Sequence, residues 1–97
     1  MYAVIFRAEI NEIDELYSEM ASRMRELATK EYGCIEFTTC MEGGHEIAIS
    51  YWPSKESIQA WKNNPEHQQA QLFGKSKWYK TYQVQVVDVL NQYSSNA

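Results

Sequence analysis

The chain has 97 residues, 44% of them apolar and 13% aromatic, enough for one hydrophobic core and too few for two. Its formal charge of −4 is dispersed and its longest basic run is Lys75-Ser76-Lys77, which makes nucleic acid and anionic membranes poor partners. No apolar run approaches the roughly 20 residues of a membrane span, and a domain this small hides only roughly 60–65% of its unfolded surface, so burial against another subunit is expected.

From Tyr2 to Ile10 the residues alternate, with Tyr2, Val4, Phe6, Ala8 and Ile10 on one face and Ala3, Ile5, Arg7 and Glu9 on the other, which predicts a first strand. Asn11 reads as a helix N-cap with Asp14 at the third helical position. Ile13, Leu16, Tyr17, Met20, Met24, Leu27 and Ala28 then recur at three- and four-residue steps, predicting an amphipathic helix over roughly residues 12–30. Its opposite face, with Glu15, Glu19, Arg23, Glu26 and Lys30, is charged surface, and Gly33 is its stop.

Cys34 to Met41 alternates again, Glu42-Gly43-Gly44 is the strongest turn signal in the chain, and His45 to Trp52 alternates in turn, so the two segments predict a hairpin that Pro53 ends. In the third strand Ile47, Ile49 and Tyr51 share one face, and Glu46, Ala48, Ser50 and Trp52 the other. Cys34 and Cys40 lack CxxC spacing. On one extended strand they would share a face about 20 Å apart at ~3.3 Å per residue, too far to bridge, and they read as small apolar fillers. With no N-terminal pattern of a secretion signal, they fit a reducing cytoplasm.

Ser54 caps a short helix in which Ile58 and Trp61 face the same way, and Asn64-Pro65-Glu66 restarts a helix in the preferred order of cap, proline and acid. Ala70, Phe73 and Trp78 give a weak apolar stripe. Tyr82 to Tyr93 predicts the last strand, but Val84 and Val86 share one parity and Val87 and Val89 the other, which requires two covered faces or a bulge. One domain is expected over residues 1–93, with residues 94–97 a disordered tail.

The order strand, long helix, strand, strand, broken helix, strand is that of an α+β, ferredoxin-like split βαβ: a four-stranded antiparallel sheet with its helices on one face. The bare face would carry Val, Ile and aromatic side chains, and pairing of two sheets with twofold symmetry would cover it. No Ser-His-Asp set, phosphate loop or metal-ligand spacing occurs.

All three tryptophans and one of the two histidines fall between Tyr51 and Tyr82. The segment SYWPSKESIQAWKNNPEHQQAQ, followed by GKSKWYKTYQVQVVDVLNQY, resembles the C-terminal signature of the antibiotic biosynthesis monooxygenase-like family, closest to its small bacterial YqjZ-like branch. The opening MYAVIFRAEI and the Gly-Cys-Ile after the long helix are similar to the same family, so the resemblance covers essentially the whole chain. It implies a homodimeric α/β barrel with a pocket between each sheet and its helices.

The superfamily mixes several chemistries on this scaffold. Its haem-degrading branch uses a first-strand asparagine, a tryptophan on the second helix and an axial histidine further along. Trp61 matches the tryptophan, but the axial position falls on Gln71, which is not a normal haem ligand, and the asparagine is replaced in the Phe6-Arg7 region. The cofactor-free oxygenase branch binds an electron-rich phenol, deprotonates it and lets the carbanion pass an electron to O2. The resemblance therefore implies a cytoplasmic enzyme that oxidises a small phenol- or quinol-like aromatic with no cofactor and no metal.

Such chemistry asks for an apolar pocket, an aromatic wall and polar groups for the phenolate. Trp61 and Trp52 are the candidate walls, His67 the candidate base, and Tyr51, Tyr82 and Arg7 candidates to orient oxygen atoms. Each has a structural reading beside it: Trp61 as a core anchor, His67 as an organiser of its helix, and Trp78, Tyr79 and Tyr82 as packing at a dimer edge. The competing function is a ligand-binding or stress-associated dimer without catalysis.

Overall fold

In the computed structural model, described for residues 1–96, the chain runs β1 (Tyr2–Ile10), α1 (Glu15–Glu31), β2 (Glu36–Glu42), β3 (His45–Trp52), α2 (Lys55–Lys62), α3 (Pro65–Phe73), a π-helical turn (Gly74–Trp78) and β4 (Tyr79–Asp88). The sheet order is β2-β3-β1-β4 with every neighbouring pair antiparallel. This is the ferredoxin-like α+β arrangement expected from the element order. At the hairpin, Glu42 pairs with His45, and Gly43 and Gly44 take φ of 58° and 80°. A two-residue turn with both φ positive matches the twist of the flanking strands, and glycine adopts it without steric cost.

Four boundaries differ from the sequence reading. The first helix is capped by Asp14, whose side chain accepts from the Tyr17 amide at 2.9 Å, and not by Asn11. The Asn11 and Glu12 amides instead donate to the Trp78 carbonyl, and the Asn11 side chain donates to that of Lys77, which holds this segment out of the helix. The second strand begins at Glu36 because the Cys34 amide still donates to the Ala28 carbonyl at the helix end. The two cysteines therefore do not share a strand face: Cys34 is buried in the core, and the exposed Cys40 pairs with Ile47 in the sheet.

The last strand starts at Tyr79 and not Tyr82, and it ends at Asp88. Its irregularity is at the start: Glu9 opposes Thr81 while Ile10 opposes Tyr79, so Lys80 is the extra residue. Through Val84, Val86 and Val87 the register against β1 is continuous, so the valines lie on both faces of the strand without a bulge between them. Of the segment expected as a tail, residues 94–96 carry no helix or strand, and residue 97 lies outside the described residues.

Antiparallel register sorts the side chains into two faces, because successive residues of a strand point opposite ways. Val4, Ser50, Phe37 and Val86 share the helix-facing side, and Ile5, Ile49, Thr38 and Gln85 the open side. The core lies under α1 and α2, where Val4, Met24, Leu27, Ala28, Cys34, Trp52, Ile58 and Trp61 pack together. Trp52 is completely buried. Truncating a buried tryptophan to alanine costs about 3–5 kcal/mol, a large share of the roughly 5–15 kcal/mol that holds a domain together.

Trp78 belongs to this helix-facing layer and not to a dimer edge. It is buried, stacks on Phe73 at 5.6 Å, meets Tyr17 edge-on at 5.4 Å, and donates Nε1–H to Asp14 at 3.1 Å. The helices reach β4 only at its start, where Tyr17 meets Tyr79 edge-on: Tyr82, Val84 and Val86 stay 41%, 45% and 51% exposed on its helix-facing side.

Candidate functional site

The helix-facing side carries two separate polar centres, one near each end of β3. The first is built on the β3 terminus and the α2–α3 corner. Ser54 caps α2, accepting from the Ser57 amide, and Asn64 caps α3 ahead of Pro65, accepting from the Glu66 amide. These caps fix the corner that brings His67 beside Trp61, with ring centroids 4.2 Å apart and planes at 76°. Trp61 in turn lies 5.1 Å from Trp52 and 6.0 Å from Phe37.

The indole N–H groups are already engaged: Trp52 Nε1 donates to Ser50 Oγ at 2.8 Å and Trp61 Nε1 to the Met24 carbonyl at 3.1 Å. His67 Nδ1, by contrast, is buried with no hydrogen-bond partner. Burial lowers the imidazole pKa to about 4, helped by the charge of Lys62, so His67 is neutral at pH 7. A neutral ring offers one acceptor nitrogen and one N–H donor.

The second centre lies toward the hairpin end of β3. Glu46 is only 6% exposed, on the same strand face as Trp52, and its Oε2 accepts a hydrogen bond from the Tyr79 hydroxyl at 3.1 Å. Burial pushes the Glu46 carboxyl above its ordinary pKa, while the Tyr79 bond pulls it partly back. Burial and the neighbouring carboxylate both push the Tyr79 phenol up, so that it stays protonated. Phe6 packs against Tyr79 at 5.3 Å and Tyr82 at 6.0 Å, and those two tyrosines are 6.3 Å apart. Asp14 and Lys77 close the neighbouring corner with a 2.8 Å ion pair, and the lysine holds the carboxylate pKa below its usual range.

The six residues singled out in the sequence thus do not form one site. Trp52, Trp61 and His67 come together. Tyr82 lies on the same side of the sheet but with Phe6 and Tyr79. Arg7 and Tyr51 lie on the open face, where Arg7 pairs with Ile47 and Tyr51 with Ala3. They are separated by the sheet from any ligand held between sheet and helices. Tyr51 and Trp52 illustrate the reason: adjacent residues on a strand cannot both face the same pocket.

Sequence reasoning missed Glu46, Tyr79 and Phe6 as a group. A signal existed for Glu46, whose alternation places a carboxylate in line with Trp52, on the face destined for the core. Nothing in the sequence linked it to a tyrosine 33 residues away.

The open face holds two broad concavities, of about 400 and 550 Å3. The first is bordered by Arg7, Glu9, His45, Ile47 and Thr81, with Ala8 and Glu46 also in its lining, and the second by Ala3, Ile5, Ile49, Tyr51 and Val87 with Asp88 and the residues after β4. Among the described residues no helix is long and apolar enough to cross a membrane.

A split βαβ sheet with an aromatic, sparsely polar layer under its helices places the protein among the ferredoxin-like α+β proteins. More particularly, the chain belongs to the antibiotic biosynthesis monooxygenase family, whose model matches residues 1–71. It is 40% identical over 92 residues to the uncharacterized protein YqjZ of Bacillus subtilis, spanning 94% of this chain and 81% of that one. Among solved structures it resembles Rv0793 from Mycobacterium tuberculosis, with a TM-score of 0.81 and 17% identity over 96% of this chain and 98% of the other. It also resembles SnoaB, a cofactor-independent oxygenase from Streptomyces nogalater, with a TM-score of 0.79 and 9% identity over 97% of each chain. At these identities the structural likeness establishes the fold.

Proposed function

We propose that the protein is a small cytoplasmic monooxygenase, a single domain over residues 1–93 acting as a homodimer, that oxidises a phenol- or quinol-like aromatic with O2 and no cofactor. Its ligand lies between sheet and helices. The observation that carries this reading is the unpaired Nδ1 of His67 beside Trp61. An unsatisfied buried polar atom costs about 1–3 kcal/mol, and a donor group of a bound ligand would satisfy it. Both indole N–H groups are engaged internally and Trp52 is completely buried, which leaves only the Trp61 ring, 8% exposed, to offer a ligand aromatic surface. Family membership and the fold shared with the oxygenase SnoaB support the reaction class.

The homodimer rests on the open face, where Ile47 and Val87 are 43% and 37% exposed around the two concavities. Two free cysteines fit a reducing compartment.

Oxygen uptake with a panel of anthrone- and quinol-like phenols tests the enzyme. Turnover that falls at least tenfold in His67→Ala is expected; no uptake with any of them counts against catalysis. A second reading, ligand binding without catalysis, is favoured by the burial of Trp52 and Trp61 in the core, and it predicts phenol binding without oxygen uptake.

A further inference from the structure

We propose that the acidic hydroxyl of the ligand is received by the Glu46–Tyr79 pair, at the hairpin end of the helix-facing layer, with Glu46 as proton acceptor and Tyr79 as its positioning residue. The proposal rests on the reading of the protein as a binder of small phenols and moves the reacting end of the ligand away from His67. Three observations lead to it.

First, among the described residues Glu46 is the one buried carboxylate and Tyr79 its sole hydrogen-bond partner, which leaves Oε1 unpaired. That oxygen is not sealed in, since among the described residues the enclosed side-chain atom without a partner is His67 Nδ1, and an unpaired, reachable carboxylate oxygen accepts from whatever donates to it. Second, the surroundings provide no cation to do so. Facing Glu46, β1 presents Phe6 and Ala8, β2 presents Met41, and β4 presents Tyr79 and Tyr82. Asp14, which caps α1, and Lys77 of the π-helical turn are paired with each other. Third, Phe6, Tyr79 and Tyr82 form an aromatic group that continues into Val84 and Val86 along the strip of β4 that the helices leave exposed. A flat apolar strip ending at a carboxylate complements a planar aromatic with one hydroxyl on its rim.

The transfer is a single proton from the ligand oxygen to Glu46 Oε1, leaving the electron pair on the ligand as phenolate; no other bond changes. Tyr79 keeps its own proton and holds Oε2. Burial raises the basicity of the carboxyl, as the task requires.

The test titrates the full chain, without oxygen, with 1-naphthol and with 1-methoxynaphthalene, which has the same rings but no hydroxyl. At pH 8 the wild type is expected to bind the naphthol at least tenfold more tightly than the ether, and Glu46→Gln to reduce that preference below threefold. In Tyr79→Phe the preference persists, but the pH below which naphthol binding weakens moves upward, because loss of the Tyr79 bond raises the Glu46 pKa. Equal binding of the two probes, an unchanged preference in Glu46→Gln, an unmoved limb in Tyr79→Phe, or no naphthol binding up to millimolar concentration each overturns the proposal. None of these readouts needs turnover. Preference without oxygen uptake therefore removes the oxygenase function and keeps this site, and His67-dependent uptake unaffected by Glu46→Gln does the reverse.

Discussion

The His67 imidazole meets Trp61 edge to face, centroids 4.2 Å apart, with its Nδ1 shut away from both solvent and partners. A protonated ring there would be a buried cation lacking a counterion, which is why its pKa falls to about 4.

That depression makes stability depend on pH. The unfolded chain binds the His67 proton near pH 6.5 and the folded chain only near 4, so the native state loses stability as pH falls through this window. A difference of this size corresponds to about 3 kcal/mol once the window is crossed. Urea denaturation between pH 7 and 4 is expected to show a falling midpoint in the wild type and a distinctly flatter one in His67→Phe. Identical slopes would mean that the ring is not held neutral by burial.

Glu46 has the opposite sign. Its folded pKa lies above the unfolded value, so its contribution favours the native state at low pH and is lost as pH rises through the folded pKa. Glu46→Gln should melt at a higher temperature than the wild type at pH 8, and the gap should close below about pH 4.5. A glutamine variant less stable at pH 8 would show that the carboxylate is better compensated than one tyrosine bond allows.

Dimerisation should respond to one face of the sheet only. Ile47→Lys, on the open face, is expected to convert a micromolar dimer to a monomer in sedimentation velocity, and Val84→Lys, on the helix-facing side, to leave it dimeric. Both positions are exposed in the single chain, so either change should shift its intrinsic stability by no more than about 0.5 kcal/mol. A wild type that is monomeric at that concentration would end the dimer proposal.

The element order, the glycine hairpin, the Ser54 and Asn64 caps and the alternation of β1 and β3 could all be read from the chain, because each depends on neighbours a few residues apart. These local patterns were enough for the split βαβ fold. They also singled out Trp61 and His67, as wall and base, but that the two rings touch was settled by the corner at Asn64-Pro65 in the folded chain.

Tertiary structure decided what depends on distant partners. Asp14 displaced Asn11 as the cap only because the Lys77 and Trp78 carbonyls claimed Asn11 from 66 and 67 residues away. Parity alone could say that Tyr51 and Trp52 point apart, but not which of them would lie under helices; pairing against β1 and packing under α1 and α2 settled that. The burial of Glu46 beside Tyr79 likewise needed the extra residue at Lys80, which puts Tyr79 and Tyr82 on one face despite their odd spacing. A one-residue shift in a strand turns every later side chain over, and only the paired strand fixes where that shift falls.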